Sequence, residues 1–182
     1  MTTSHVLTWT ISESDGYETA WIELDGSTLR AHGRVVGTVP EPYWITYELD
    51  TTEDFVTRRL RATSETAGGT TELDLRRAQD GRWTVNGRPA PGLDGALDCD
   101  LGLSPLTNTM PVLRHALHRL PGEQDFLMAW IHVPDLAVQP NRQTYTHLGT
   151  NRVRYASGTY RADLTLDADG LVVTYPGLAQ RR

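Results

Sequence analysis

Asp98-Cys99-Asp100-Leu101-Gly102-Leu103-Ser104-Pro105-Leu106-Thr107-Asn108-Thr109-Met110-Pro111-Val112-Leu113-Arg114-His115-Ala116-Leu117-His118-Arg119-Leu120 decides the fold, because it holds the one convincing helix in a chain of strands and turns. Leu106, Met110, Leu113, Leu117 and Leu120 recur at spacings of four, three, four and three, which lays one apolar stripe along a helix. Thr109 suits the N-cap, and Pro111 then falls in the first turn, where a missing N–H costs little. Arg114, His118 and Arg119 gather toward the C-terminal end, where positive charge suits the helix dipole. Leu120-Pro121-Gly122 stops it. A lone short helix among many strands is what a sheet would wrap.

Outward from that stretch, the bulk properties describe an ordinary folded protein of mainly β class. The 182 residues suffice for one domain, 1–182, with a real core; 38% are hydrophobic and 22% charged, and the formal net charge is −6. That acidic balance disfavours nucleic acid as a partner, since phosphate backbones need a basic face. All basic residues apart from histidine are arginine. The single cysteine, Cys99, excludes an internal disulfide and fits a reducing compartment. No basic segment followed by an apolar core opens the chain, and no run is long enough for a transmembrane helix, so the expected location is cytoplasmic.

The strands follow one another through short turns. Thr8–Ile11, Tyr17–Leu24, Leu29–Val39 and an alternating segment from Tyr43 to Leu49 come first, with Asp25-Gly26 as a tight-turn signal. In the next strand Val56, Arg58, Leu60 and Ala62 share one face, which turns Arg58 inward among apolar neighbours; there it needs a carboxylate, a carbonyl or a ligand anion, unless it snorkels at an edge. Asn86-Gly87 is a type I′ turn signal. In Phe126–Val133 both faces are apolar, so both must be covered. Succession of this kind predicts an antiparallel meander.

The chemistry-bearing groups are sparse. Asp94, Asp98 and Asp100 form a carboxylate cluster, but two carboxylates one residue apart on a strand are not the facing pair of a glycosidase, and turn, cap or arginine-pairing roles account for them. A hydrolase of a sugar or acyl substrate using Asp98, Asp100 and a histidine stays as a distant alternative. His115 and His118 lack the pattern of a metal site, and alternation buries Cys99 with Leu97 and Leu101, so no metal or other cofactor is expected. What remains is a pocket inventory: Arg58, Asn108, Arg114, Gln143, Tyr47, Tyr145 and Tyr155 beside large apolar side chains. Aromatic walls with a few arginine and amide groups suit an amphiphile with an anionic or sugar head, and equally suit polar punctuation of a β core.

The run Leu97-Asp98-Cys99-Asp100-Leu101-Gly102-Leu103-Ser104-Pro105-Leu106-Thr107-Asn108-Thr109-Met110-Pro111-Val112 resembles the signature of a bacterial family described as glycolipid-binding. Gln143-Thr144-Tyr145 with Arg154-Tyr155, and Asp169-Gly170-Leu171-Val172 with Tyr175-Pro176-Gly177-Leu178, are similar to it as well, as are Thr57-Arg58 and Gly16-Tyr17-Glu18. The resemblance implies a spiral β-roll, a large antiparallel sheet wrapped around one α-helix, and a homodimer. The expected function is non-enzymatic binding of a glycolipid or acyl conjugate in the roll. Leu60, Met110, Leu117 and Trp130 would line the cavity, Arg58 and Arg114 would meet the head group, and Asn108, Gln143, Tyr145 and Tyr155 would assist. A structural homodimer with a packed interior, in which Arg58 pairs with Asp98 or Asp100, is the alternative.

Overall fold

The computed structural model describes residues 2–182. Fifteen strands form the chain's one sheet: β1 (Thr2–Ile11), β2 (Gly16–Asp25), β3 (Thr28–Gly37), β4 (Tyr43–Thr51), β5 (Thr57–Thr66), β6 (Gly69–Arg77), β7 (Trp83–Val85), β8 (Arg88–Pro89), β9 (Asp98–Leu101), β10 (Glu123–Ile131), β11 (Val138–Gly149), β12 (Arg152–Ser157), β13 (Tyr160–Leu166), β14 (Val172–Tyr175) and β15 (Ala179–Arg181). The order across the sheet is β8-β7-β6-β5-β4-β3-β2-β1-β15-β14-β13-β12-β11-β10-β9. The architecture is mainly β, as the strand succession predicts. Each pairing is antiparallel except β9 with β10, which run parallel because the helical segment lies between them.

The sheet rolls until its last strand meets its own first half. The Thr57 N–H donates to the Leu97 carbonyl at 2.9 Å, and the Cys99 N–H donates to Thr57 Oγ1 at 3.0 Å, although β5 and β9 stand eleven places apart in the sheet. The Trp83 indole N–H donates to the Ala96 carbonyl at 3.1 Å, so β7 overlaps the segment that leads into β9. A 3-10 turn at Pro91–Leu93 packs against β10 and β11. Met128, Ala129 and Ile131 are accordingly all buried, which is the double cover that the two apolar faces of this strand require.

The central helix is shorter than its leucine stripe predicts. A 3-10 turn at Pro105–Asn108 leads into α1 (Thr109–Arg114), and the N-cap is Asn108 rather than Thr109. Leu106, Met110 and Val112 are fully buried, whereas Leu120 is exposed. The helix stops because Ala116 adopts a left-handed conformation (φ 50°), with the Leu117 N–H donating to the Val112 carbonyl and the Ala116 N–H to that of Leu113. These two bonds make a Schellman termination, normally built on glycine. Beyond it, the chain turns so that the Leu117 carbonyl faces His147 Nδ1 at 2.6 Å and the His118 carbonyl accepts from the Asn151 N–H at 2.7 Å. Tertiary bonds to β11 and to the turn before β12 thus replace two further helical turns.

Arg58 is not inward-facing. Asp50 pairs with Arg59 and Thr51 with Thr57, so Arg58 is the extra residue of a β-bulge, and two outward residues, Arg58 and Arg59, separate inward Thr57 from inward Leu60. Thr57, Leu60, Ala62 and Ser64 point in; Arg58, 57% exposed at its side chain, points out and meets Asp50 at 3.3 Å. No helix among the described residues is long and apolar enough to cross a membrane.

Candidate functional site

Inside the roll, four of the six residues singled out from the sequence come together. The Thr107 hydroxyl and the Gln143 amide donate to the two oxygens of Asp100 at 2.9 and 2.6 Å. The Tyr145 hydroxyl donates to Gln143 Oε1 at 3.2 Å and accepts from the Asn108 amide at 2.7 Å. The Tyr155 ring meets that of Tyr145 edge-on, 5.4 Å between centroids. Burial pushes both phenols and the Asp100 carboxyl upward in pKa; the bonds from Gln143 and Thr107 pull Asp100 back down. The chain β9–3-10 turn–β11 is therefore a closed network in which each named side chain has its partner within the protein.

Arg114 belongs to a neighbouring clamp. Its guanidinium makes a two-pronged bond to Asp98, with Nη1 2.7 Å from Oδ2, and donates to the Asp54 and Phe55 carbonyls at 2.7 and 3.0 Å. The side chains of Arg114 and Asp98 are 7% and 1% exposed. Desolvation pushes the Asp98 carboxyl up while the guanidinium pulls it down. Arg114, rather than Arg58, is the arginine that Asp98 pairs with, and it ties α1 to β9 and to the turn ahead of β5. Arg58 stands outside this interior group. Leu60, Met110 and Leu117 are packed into the contiguous core, while Trp130 is half-buried.

Cys99 is fully buried beside Thr57, and burial pushes its thiol up to about 12. Among the described residues no three His, Cys, Asp or Glu side chains converge as metal ligands would. A third interior carboxyl was not among the candidate residues read from the sequence. Glu18 is fully buried, and its Oε1 accepts from the Tyr47 hydroxyl at 2.6 Å and from the Ser104 hydroxyl at 2.8 Å. Its Oε2 has no partner among the described residues. Gly33 makes this bond possible: a Cβ there would lie 2.6 Å from the Tyr47 oxygen.

The open concavity lies on the other side of the sheet. The outward face of β1 to β5 forms a trough of about 1180 Å³. Within it Trp21 and His32, cross-strand partners, stack with nearly parallel rings, 5.4 Å between centroids and 6° between planes, and Trp21 is 46% exposed. Val6, Tyr17 and Val36 extend the apolar surface, each more than two-fifths exposed, and Arg34 and an Arg61–Glu48 ion pair add polar groups. The sequence carried a signal for this face: Trp21 alternates with Ala20 and Ile22, so β2 has large apolar side chains on both sides, the same pattern that marks β10.

The fold and these groups define a rolled single-sheet β protein with a hydrogen-bonded polar network in its interior and an aromatic outer trough. The chain belongs to the family described as "Putative glycolipid-binding", whose model matches residues 6–181. It is similar, at 30% identity and a TM-score of 0.78, to the crystal structure of a DUF1089 family protein from Pseudomonas aeruginosa; the match covers 91% of this chain and 92% of that one. No curated protein matches it.

Proposed function

We propose that the protein binds an amphiphile with a sugar-like head, without catalysing a reaction on it, and that the ligand lies in the outer trough. The observation that carries this reading is the exposed, parallel-stacked Trp21–His32 pair, flanked by Val6, Tyr17 and Val36 in a concavity of about 1180 Å³. A flat aromatic platform offers a surface on which the apolar face of a sugar ring can lie, while Arg34, Glu48 and Arg61 supply hydrogen-bonding groups at its rim. The family description points to the same ligand class. The interior groups first expected to meet a head group support the outer location, because Asn108, Gln143, Tyr145 and Arg114 direct their donors to protein acceptors.

Incubation with a panel of short-chain alkyl glycosides below their micelle-forming concentrations, followed by native mass spectrometry, tests the reading. A one-to-one adduct with the wild type that is lost in Trp21→Ala is the expected result. Adducts retained in that variant would move the site elsewhere. A dimer in the unliganded protein that disappears on the same substitution would assign the trough to a second copy of the chain instead.

A further inference from the structure

Beside the trough, and sharing Asp50 with it, the outer ends of β5, β6 and β7 enclose a second depression of about 410 Å³. Its wall carries Arg58, Arg59, Arg76, Arg77 and Arg82. Five guanidiniums on so small a surface run against the character of a chain whose formal net charge is −6.

The carboxylates at hand do not balance them. Asp74 takes a two-pronged bond from Arg59 at 2.7 and 2.8 Å and another from Arg76. Asp80 takes Arg82 at 2.8 Å, and Asp50 holds Arg58 only by the 3.3 Å contact. Arg77 donates its Nε to the Ala96 carbonyl at 3.0 Å, and its terminal nitrogens find no partner among the described residues. Three carboxylates thus touch four of the five cations, while Asp94 and Asp98 act on Arg82 and Arg77 only from farther off. Arg59 and Arg76 stand directly opposite each other on adjacent strands and share the single Asp74 carboxylate, so two cations lean on one anion there. The bulge that turns Arg58 outward adds its guanidinium to the same wall. Planar guanidinium forks arranged around a depression match the geometry of a phosphate group better than that of any neutral ligand.

We propose that this depression is a phosphate-binding site, and that it takes the phosphate ester of the amphiphile whose body lies in the adjoining trough. The second part rests on the reading under Proposed function; the first does not. Isothermal titration at low ionic strength with inorganic phosphate, and separately with octyl phosphate and an octyl glycoside as the neutral control, tests both. The wild type should bind phosphate saturably and more weakly as salt rises. Arg58→Gln/Arg77→Gln should weaken binding about tenfold or more, in line with the loss of charge-assisted bonds. Arg58→Gln/Arg82→Gln, which leaves the Arg77–Ala96 bond intact, should do so with an unchanged melting temperature. Absence of saturable phosphate binding, or equal binding by the variants, would overturn the site. Octyl phosphate binding more tightly than phosphate, with the gain lost in Trp21→Ala, would establish the lipid-borne source. No gain over phosphate would overturn that link and assign the site to free phosphate. Failure of the neutral glycoside to bind, with phosphate binding intact, would count against the trough reading alone.

Discussion

Replacing Glu18 by glutamine should make the protein more stable above neutral pH, and the size of the gain follows from the carboxyl's surroundings. Glu18 is fully buried, with two hydrogen bonds on one oxygen and none on the other. Burial raises its pKa from 4.5 to about 7, outweighing the bonds from Tyr47 and Ser104 that favour the anion. In the unfolded chain the carboxyl ionises near its ordinary value, so between the two values the folded protein holds a proton that the unfolded one has released. Stability therefore falls as pH rises from about 4.5 to about 7 and is level beyond, a total loss of about 3 kcal/mol. Glutamine keeps an acceptor for Tyr47 and Ser104 and has nothing to ionise. Urea unfolding of both proteins, followed by circular dichroism from about pH 5 to about pH 8, should show the variant gaining about 2–3 kcal/mol on the wild type across the range. Asp98 and Asp100, also buried, titrate in both proteins and drop out of the difference. Two curves that stay parallel would refute the reasoning, since they would mean that Glu18 is ionised or solvated alike in the folded and unfolded states.

Three further outcomes can be measured on single variants and a fourth on the unaltered protein. Arg114→Ala strands Asp98 in the core and should cost about 3–5 kcal/mol in urea unfolding at neutral pH, whereas a loss under about 1 kcal/mol would show the pair to be relieved by water. Ala116→Gly removes the left-handed strain at the helix end and should raise stability by about 0.5–1 kcal/mol, read as a higher melting temperature. Gly16→Ala places a Cβ 1.9 Å from the Val36 carbonyl oxygen, where only backbone displacement could relieve it, so the variant should lose the cooperative thermal transition or show a sharply lower midpoint. Cys99 should resist a disulfide-exchange reagent in the native protein at pH 8 and react at once in denaturant, because its thiol is buried and raised to about 12.

Much of the sheet is legible in local sequence because its determinants are local. Asn86-Gly87 signals a hairpin on chemistry alone, and both residues adopt the positive φ (50° and 77°) that a type I′ turn requires. The doubly apolar β10 likewise announces that something must lie on each side of it. What fails does so where a long-range contact overrides a short-range pattern. The leucine stripe runs on past Leu117, yet the bonds offered by His147 and Asn151 end the helix at Arg114. Arg58 reads as inward because alternation is counted across a bulge, and bulges leave no mark on period-two patterning. At the candidate sites the residue types were visible but their sorting was not. Arg58-Arg59 and Arg76-Arg77 are adjacent doublets in sequence; only the bulge in β5 and its register against β6 bring them round one depression at the strand ends.

That sorting bears on what the family signature means. Asp98, Asp100, Ser104, Thr107 and Asn108 come from the stretch that carries the resemblance; Thr107 bonds Asp100 within it, and the other four bond outside it, to Arg114, Gln143, Glu18 and Tyr145. Buried polar groups left unpaired would be costly, so these residues have to occur as a set wherever the helix segment is to sit inside the sheet. The signature is thus a specification for closing the roll, and it would persist in relatives with different ligands or none. Discrimination among ligands must come from side chains whose donors and faces the fold leaves free. For the ligand proposed, those are the free face of the Trp21–His32 stack and the terminal nitrogens of Arg77 with the arginines around them, none within the Leu97–Val112 run. Exchanging Trp21 or the arginine pairs should therefore change what binds while leaving the fold intact, and altering Asp98 or Asn108 should do the reverse.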